Sequence, residues 1–454
     1  MDGASVTGTP DLTQALASRA SATTYDALPA GARLLARQCL LDYYACGIAG
    51  ADDPLVAILV AEMQEMGGVE IAHLIGHKGR MPALSAALVN GAASHALDYD
   101  DVNLAMPGHP SVAVLPGLIA LAEERKSSGR DLIAAFIGGY ETACRAGLSV
   151  RPGHYGRGFH ATGTVGVFGA AAACAHLLGL DAEGVGRALG IAGTQAAGLK
   201  SQFGTMCKPF HAGKAAQNGL LAARLAARGF SSRPDLIECD QGFAKTHSNV
   251  WNPEAALAEP SGGFHVYANL FKYHAACYMT HAPIECARQI RDRHHAAEGD
   301  IAAIKLSVNR GSSRICNIQA PGDGLQAKFS LRQTVAMALA GIDTASLGAY
   351  SVATATDPAL VRLRERIELD FQDDLAEAGA ELAVTLRDGT VAHATHDAGL
   401  AMTDFAAQGA RLADKFDALV EPVLGAARTR ELRAMIEGLD DVAEIGALAR
   451  LAAA

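Results

Sequence analysis

Residues 163 to 180, GTVGVFGAAAACAHLLGL, carry no charge and consist almost wholly of glycine, alanine and larger apolar side chains. Such a run fits either a membrane or the centre of a helical core. It is short, rich in small residues and interrupted by Thr164 and His176, so it reads as a buried central helix rather than a membrane span. Strands favour β-branched and aromatic side chains, whereas small residues suit closely packed helices. In a chain of 454 residues with half its side chains apolar and only 5% aromatic, a mainly helical core is therefore expected.

Helical periodicity runs from Leu12 to about Pro260, in segments such as ALPAGARLLARQCLLDYYACGIAG and GRDLIAAFIGGYETACRAGLSV divided by Gly, Pro and Asp. The pattern changes near residue 300. IAAIKLSVN (301 to 309) reads as a strand, and ELAVTLRDGTVAHAT (381 to 395) as two strands about an Asp388-Gly389 turn. Helical periodicity resumes after Thr403. The expected fold class is mainly α with an inserted α+β domain: residues 1–267 and 401–454 form a large helical domain, and 268–400 a smaller α+β one.

The first residues, MDGASVTGTPDLTQALASRAS, lack the basic start and apolar run of a signal peptide. Nine cysteines without CxxC spacing read as reduced thiols, and a cytoplasmic protein is expected. The chain carries a net charge of −10, yet between Thr142 and Pro234 its only acids are Asp181 and Glu183, against ten lysines and arginines. That local field would attract a small anion. Nucleic acid is a poor partner for dispersed bases with few aromatics among them. Arg224, Arg228 and Arg233 read as surface bases that pair with acids from elsewhere in the chain.

Four segments carry the chemistry. HALDYDDVNLAMPGHPS (95 to 111) places three carboxylates in four positions before His109; on a helix Asp98 and Asp101 would share a face and could orient histidines, bind a cation or cap the next element. GHYGRGFHATGTVG (153 to 166) offers Arg157 and His160 ahead of an apolar helix opened by Thr162 or Thr164, a natural carboxylate or phosphate site, though not a P-loop. GTMCKPFHAGK (204 to 214) sets Lys208 before Pro209, which predicts a turn at that lysine, with His211 following. KYHAACYMTHAPIECA (272 to 287) adds Lys272, Cys277 and His281. No HExxH or paired CxxC is present, so no metal and no cofactor is expected.

Together these segments resemble the MmgE/PrpD family, which includes 2-methylcitrate dehydratase, cis-aconitate decarboxylase and iminodisuccinate epimerase. The resemblance rests on HALDYDD with GHPS, on GFHATGT at 158 to 164, and on FGTMCKPFHAGKAAQNGLLAARLAARGF at 203 to 230. KYHAACYMTH at 272 to 281 and AKFSL at 327 to 331 complete it. It implies a helical domain with a smaller α+β lid, a homodimer, and a cofactor-independent site in the cleft between domains. That site would include Asp98, His109, His160, Lys208 and Lys272. Cys277 stands where the decarboxylases resemble one another in having His, and Val102 where many members have Thr or Ser.

The family's reactions share the gain or loss of a proton at carbon beside a carboxylate. Such a site needs fixed cations for the carboxylates and groups that carry the proton. The leading expectation is a hydro-lyase that dehydrates a hydroxylated di- or tricarboxylate such as 2-methylcitrate. Asp98, His109, His160 and Lys208 would be catalytic, and Lys272, His211, Cys277, His281 and Arg157 would bind substrate. Lys208 would be left unpaired by protein acids because substrate carboxylates pair with it. An epimerase of a dicarboxylate such as iminodisuccinate comes next, and a cis-aconitate-type decarboxylase third because of Val102 and Cys277. A non-catalytic carboxylate-binding homologue is the reading from another class.

Overall fold

The computed structural model describes residues 11–294 and 298–453; the first ten residues of the segment read above as lacking a leader lie outside it. Two compact units are present: Met1–Asn269 with Thr403–Ala454, and Leu270–Met402. Among the described residues no single helix is long and apolar enough to cross a membrane. All nine cysteines are unbridged.

The first unit is a stack of helices around Gly166–Leu177, which is buried from Gly166 to Ala175. Helices Pro110–Arg125, Gly129–Val150 and Cys207–Ala227 all pack on it. Its glycines and alanines are what permit three neighbours at once. The same economy of side chain fixes the crossing of Ala83–His95 with Cys207–Ala227. A Cβ on Gly213 would lie 2.2 Å from the Leu88 carbonyl oxygen, and one on Gly91 2.7 Å from the Gly213 Cα. Backbones this close hold the two helices in register. One of them ends at His95 and the other begins at Cys207, so the crossing sets the distance between the chemical groups described below.

Local sequence explains the helix ends. Ser128 and Asp131 form a reciprocal capping box at the start of Gly129–Val150. Asp404 accepts the Ala406 and Ala407 N–H groups at 3.1 and 3.0 Å and opens Phe405–Leu424. This last helix packs on Ala30–Ala49 and brings in Lys415. Lys415 Nζ donates to Asp42 Oδ1 at 2.6 Å and to the Tyr99 carbonyl oxygen at 2.7 Å, all of it buried.

The second unit holds a four-stranded sheet in the order Ile367–Gln372, Ile301–Asn309, Gly379–Leu386, Val391–Asp397. The first pair is parallel and the others antiparallel. In IAAIKLSVN the strand begins at Ile301, and a register irregularity between Ile301 and Ala303 lets Ile301 and Ile304 both be buried although three positions apart. The last two strands turn at Asp388-Gly389, where Gly389 takes a φ of +91°. Helix His281–His294 covers the two strands of that hairpin, and Leu331–Leu339 packs on that helix.

Replacing Lys415 by methionine strands Asp42 in the interior, and breaking a buried pair in this way costs about 3–5 kcal/mol. The expected outcome is a large drop in the thermal unfolding midpoint that is partly restored by adding Asp42→Asn. Equal midpoints for wild type and Lys415→Met would show that the pair contributes nothing.

Candidate active site

The Ala83–His95 helix stops at His95, and residues 96 to 101 form a loop. Asp98 sits there at a φ of +52°, a left-handed conformation that aspartate tolerates better than most residues. Asp98 and Asp101 therefore do not share a helix face, as a helical reading of the segment suggested; the left-handed residue turns the chain before another turn can form. Lys208 likewise departs from expectation. It lies in the first turn of Cys207–Ala227 rather than in a turn before a helix. Pro209 is accommodated because the N–H groups of a helix's first turn have no intrahelical partner to lose.

Lys208 is not left without a protein acid. Its Nζ lies 2.7 Å from Asp98 Oδ1, and the same oxygen lies 3.6 Å from His109 Nε2. Asp98 thus stands between an ammonium group and an imidazole, both side chains about one-tenth exposed. Other bases of the local excess are also paired, Arg145 with Glu259, Arg187 with Glu183, Arg224 with Glu124 and Arg233 with Asp235. The anion-attracting field is correspondingly smaller than the sequence count implied.

Behind His109 lies a second carboxylate. Asp100 Oδ1 is 2.9 Å from His95 Nδ1, and Asp100 Oδ2 is 2.8 Å from His109 Nδ1, the latter a short contact of bent geometry. Burial alone would raise the Asp100 carboxyl; the His109 and His95 rings reverse that and hold it well below the usual carboxylate range. Burial pushes His95 down to about 4 in spite of Asp100. His95 and Asp100 were not among the residues singled out in the sequence. Their signal was the HALDYDD segment itself, with a histidine five positions ahead of the middle aspartate.

His160 completes the group from the other side. Its ring stacks 5.9 Å from that of His95, and its Nδ1 lies 3.0 Å from His211 Nδ1, so one of these nitrogens donates and the other accepts. Burial, with His95 and Lys208 nearby, drives His160 well below its ordinary value, and burial with His95 takes His211 to about 4. Both rings are neutral at neutral pH. Gly198 closes over them with a φ of +144°, its would-be Cβ 3.2 Å from the His211 ring. It is His160 that caps the short Ala161–Thr164 helix, while Thr162 Oγ1 accepts the His109 N–H at 3.1 Å and Thr164 pairs with His154 at 2.9 Å.

Arg157 is exposed at the end of the Gly153–Gly156 helix, where its charge acts on His247. Lys272, Cys277 and His281 belong to the second unit. There the Cys277 N–H donates to the Lys328 carbonyl at 3.0 Å. The His281 ring lies 4.9 Å from Tyr278 and 5.0 Å from His274, and His274 is itself held by Thr344 and Glu285 at 2.8 and 3.0 Å.

Residues 14–256 match the MmgE/PrpD N-terminal domain model and residues 274–441 the C-terminal one. The chain belongs to the MmgE/PrpD family. Among curated relatives it is 28% identical to a cis-aconitate decarboxylase of Aspergillus terreus over 95% of this chain and 94% of that protein. A Homo sapiens cis-aconitate decarboxylase is 29% identical over 82% of this chain and 80% of its own length. A cis-aconitate decarboxylase-like protein oryM of Aspergillus oryzae reaches 36%, over 45% of this chain and 44% of its own.

In this MmgE/PrpD chain His95, Asp98, Asp100 and His109 bring one donor atom each within 4.8 Å of one another, close enough in spacing for a cation. In the contacts already described both Nδ1 atoms face Asp100 and Asp98 is engaged by Lys208, so the set is held together by its own charges.

The third carboxylate, Asp101, accepts the Ser111 hydroxyl at 2.5 Å. Burial, followed by the charge of Asp42, nevertheless pushes it up to about 7. The native chain then holds a proton that the unfolded chain has released, so this group's contribution to stability falls as pH rises from about 4 to 7, by up to about 1.4 kcal/mol per unit. Between pH 5 and 7 the urea midpoint of Asp101→Asn is expected to fall less steeply than that of the wild type. Parallel curves would mean that Asp101 is ionised throughout.

Proposed function

We propose that this protein is a lyase that releases carbon dioxide from a small unsaturated tricarboxylate of the cis-aconitate type. The observation that carries the reading is the contact chain Lys208–Asp98–His109, an ammonium group and an imidazole meeting at one buried carboxylate. Likeness over nearly the whole chain to enzymes named for this reaction supports it. The dehydratase expectation, placed first from sequence, has no comparable support and moves to second. Val102 and Cys277, which counted against decarboxylation, are single departures set against that full-length likeness.

In such a reaction the methylene carbon loses carbon dioxide, and the electron pair left behind shifts through the double bond to the carbon beside a second carboxylate. That carbon takes a proton, and negative charge builds on the neighbouring carboxylate before it does so. Lys208 supplies the fixed cation that stabilises this charge. His109 delivers the proton from Nε2 and regains one from solvent. Net, one proton is consumed and one carbon dioxide released.

The test is proton NMR in heavy water with cis-aconitate, 2-methylcitrate, citrate and iminodisuccinate. From cis-aconitate the expected product shows two vinylic protons on one carbon, free of deuterium, and a single deuteron in the saturated methylene. Dehydration of 2-methylcitrate, or exchange at the α-carbon of iminodisuccinate without net loss, would replace this reading with the hydro-lyase or the epimerase. His109→Gln is expected to lower kcat by about 10²–10⁴ with KM changed only a few-fold; a variant with wild-type kcat would remove His109 from the chemistry.

A further inference from the structure

We propose that Asp100 is a positioning residue shared by two histidines: it fixes the tautomers of His95 and His109 together, and His95 serves as the donor that keeps Asp100 an acceptor, so that His109 alone carries the proton. The proposal rests on the proton-transfer reading above and names the device that aims it.

Asp100 is 1% exposed, and its two oxygens are divided between two rings, Oδ1 toward His95 and Oδ2 toward His109. An ionised carboxylate only accepts hydrogen bonds. His95 Nδ1 donates to it in a well-formed hydrogen bond; His109 Nδ1 meets it at 2.8 Å outside hydrogen-bond geometry, where a lone pair facing the carboxylate would be repelled, so both rings carry hydrogen on Nδ1 and Nε2 of each is the basic nitrogen. On His109 that nitrogen faces Asp98 at 3.6 Å. On His95 it is buried with no hydrogen-bond partner among the described residues. The ring centroids are 4.4 Å apart, too close for two imidazolium ions to share a dry site. His95 is the ring that stays neutral: burial lowers it first, and His109 and Lys208 oppose a further positive charge on it.

The second donor has a purpose that a single Asp–His pair lacks. Burial favours a proton on Asp100, as on any carboxylate taken out of water. A hydrogen bond from His95 opposes that, so the proton gained by His109 remains on the imidazole that faces Asp98 and Lys208. His95 can serve as this anchor because it ends a helix whose register is locked by the Gly91–Gly213 crossing.

The experiment is nitrogen-15 NMR of the full chain labelled in its histidine rings, with His95 and His109 assigned by His95→Asn and His109→Gln. Both rings are expected to carry hydrogen on Nδ1, with Nε2 of His95 bare. In Asp100→Asn the amide NH₂ can donate to His109, which moves that ring to the Nε2–H form. Turnover of the accepted substrate should then fall by about 10³–10⁴ in kcat, as when an orienting carboxylate is amidated elsewhere, with KM within about threefold. His95→Asn, whose amide can donate in place of Nδ1, should keep kcat within about tenfold, whereas His95→Leu should lose at least about a hundredfold.

An unchanged His109 tautomer in Asp100→Asn would overturn the proposal. So would His95→Asn as inactive as His95→Leu, since His95 would then be carrying the proton itself. Should Asp100→Asn fail to fold, the two His95 variants decide. The tautomer readout needs no substrate, so failure to turn over cis-aconitate strikes the functional reading and leaves this one standing or falling on its own spectrum.

Discussion

The arrangement of the first unit depends on buried negative charge. Asp42, Asp98, Asp100 and Asp101 are all buried, and an uncompensated ion in such a place is unfavourable by several kcal/mol. Compensation comes from positions far apart in the chain. Lys415 answers Asp42, Lys208 answers Asp98, His95 and His109 answer Asp100, and Ser111 with a retained proton answers Asp101. Five segments have to converge before any of these charges is tolerable, and the close glycine crossings are what let them converge.

This explains why the histidines are poised as they are. In an open cleft they would titrate near their ordinary values and compete with solvent. Here burial keeps His95, His160 and His211 neutral, while the carboxylates determine which ring nitrogen holds hydrogen. On the proposed reading His109 carries the moving proton while the buried rings beside it stay neutral. A reaction that moves one proton to or from carbon beside a carboxylate needs little more from a protein than that and a well-placed ammonium group.

How much of this could be read from sequence followed from the range of the interactions. The strand at Ile301–Asn309, the Asp388-Gly389 turn and the buried Gly166–Leu177 helix are written in local pattern, and so are their boundaries to within a few residues. Asp98, His109, His160 and Lys208 stood out because uncommon residue types crowd into short segments. The errors came from local rules applied where tertiary packing decides. A lysine before proline reads locally as a turn, although a helix's first turn accepts proline. Lys208 reads as lacking a protein partner because its acid, Asp98, is far away in the chain. The same distance hid Glu124 and Glu259 from the count of local charge. Nothing near Lys415 or Asp42 in the chain points to their pairing, since it joins segments on either side of the whole second unit.

That last pairing bears on how the molecule is made. The Tyr99 carbonyl, between Asp98 and Asp100, is held by a lysine of the Phe405–Leu424 helix. A ribosome would have released all of the second unit before that helix emerges. Through most of synthesis, then, the loop bearing the carboxylates lacks the lysine that holds its Tyr99 carbonyl, and Asp42 lacks its counter-charge. A chain cut short after residue 402 would contain nearly every group named here and still lack the one that holds their loop in place.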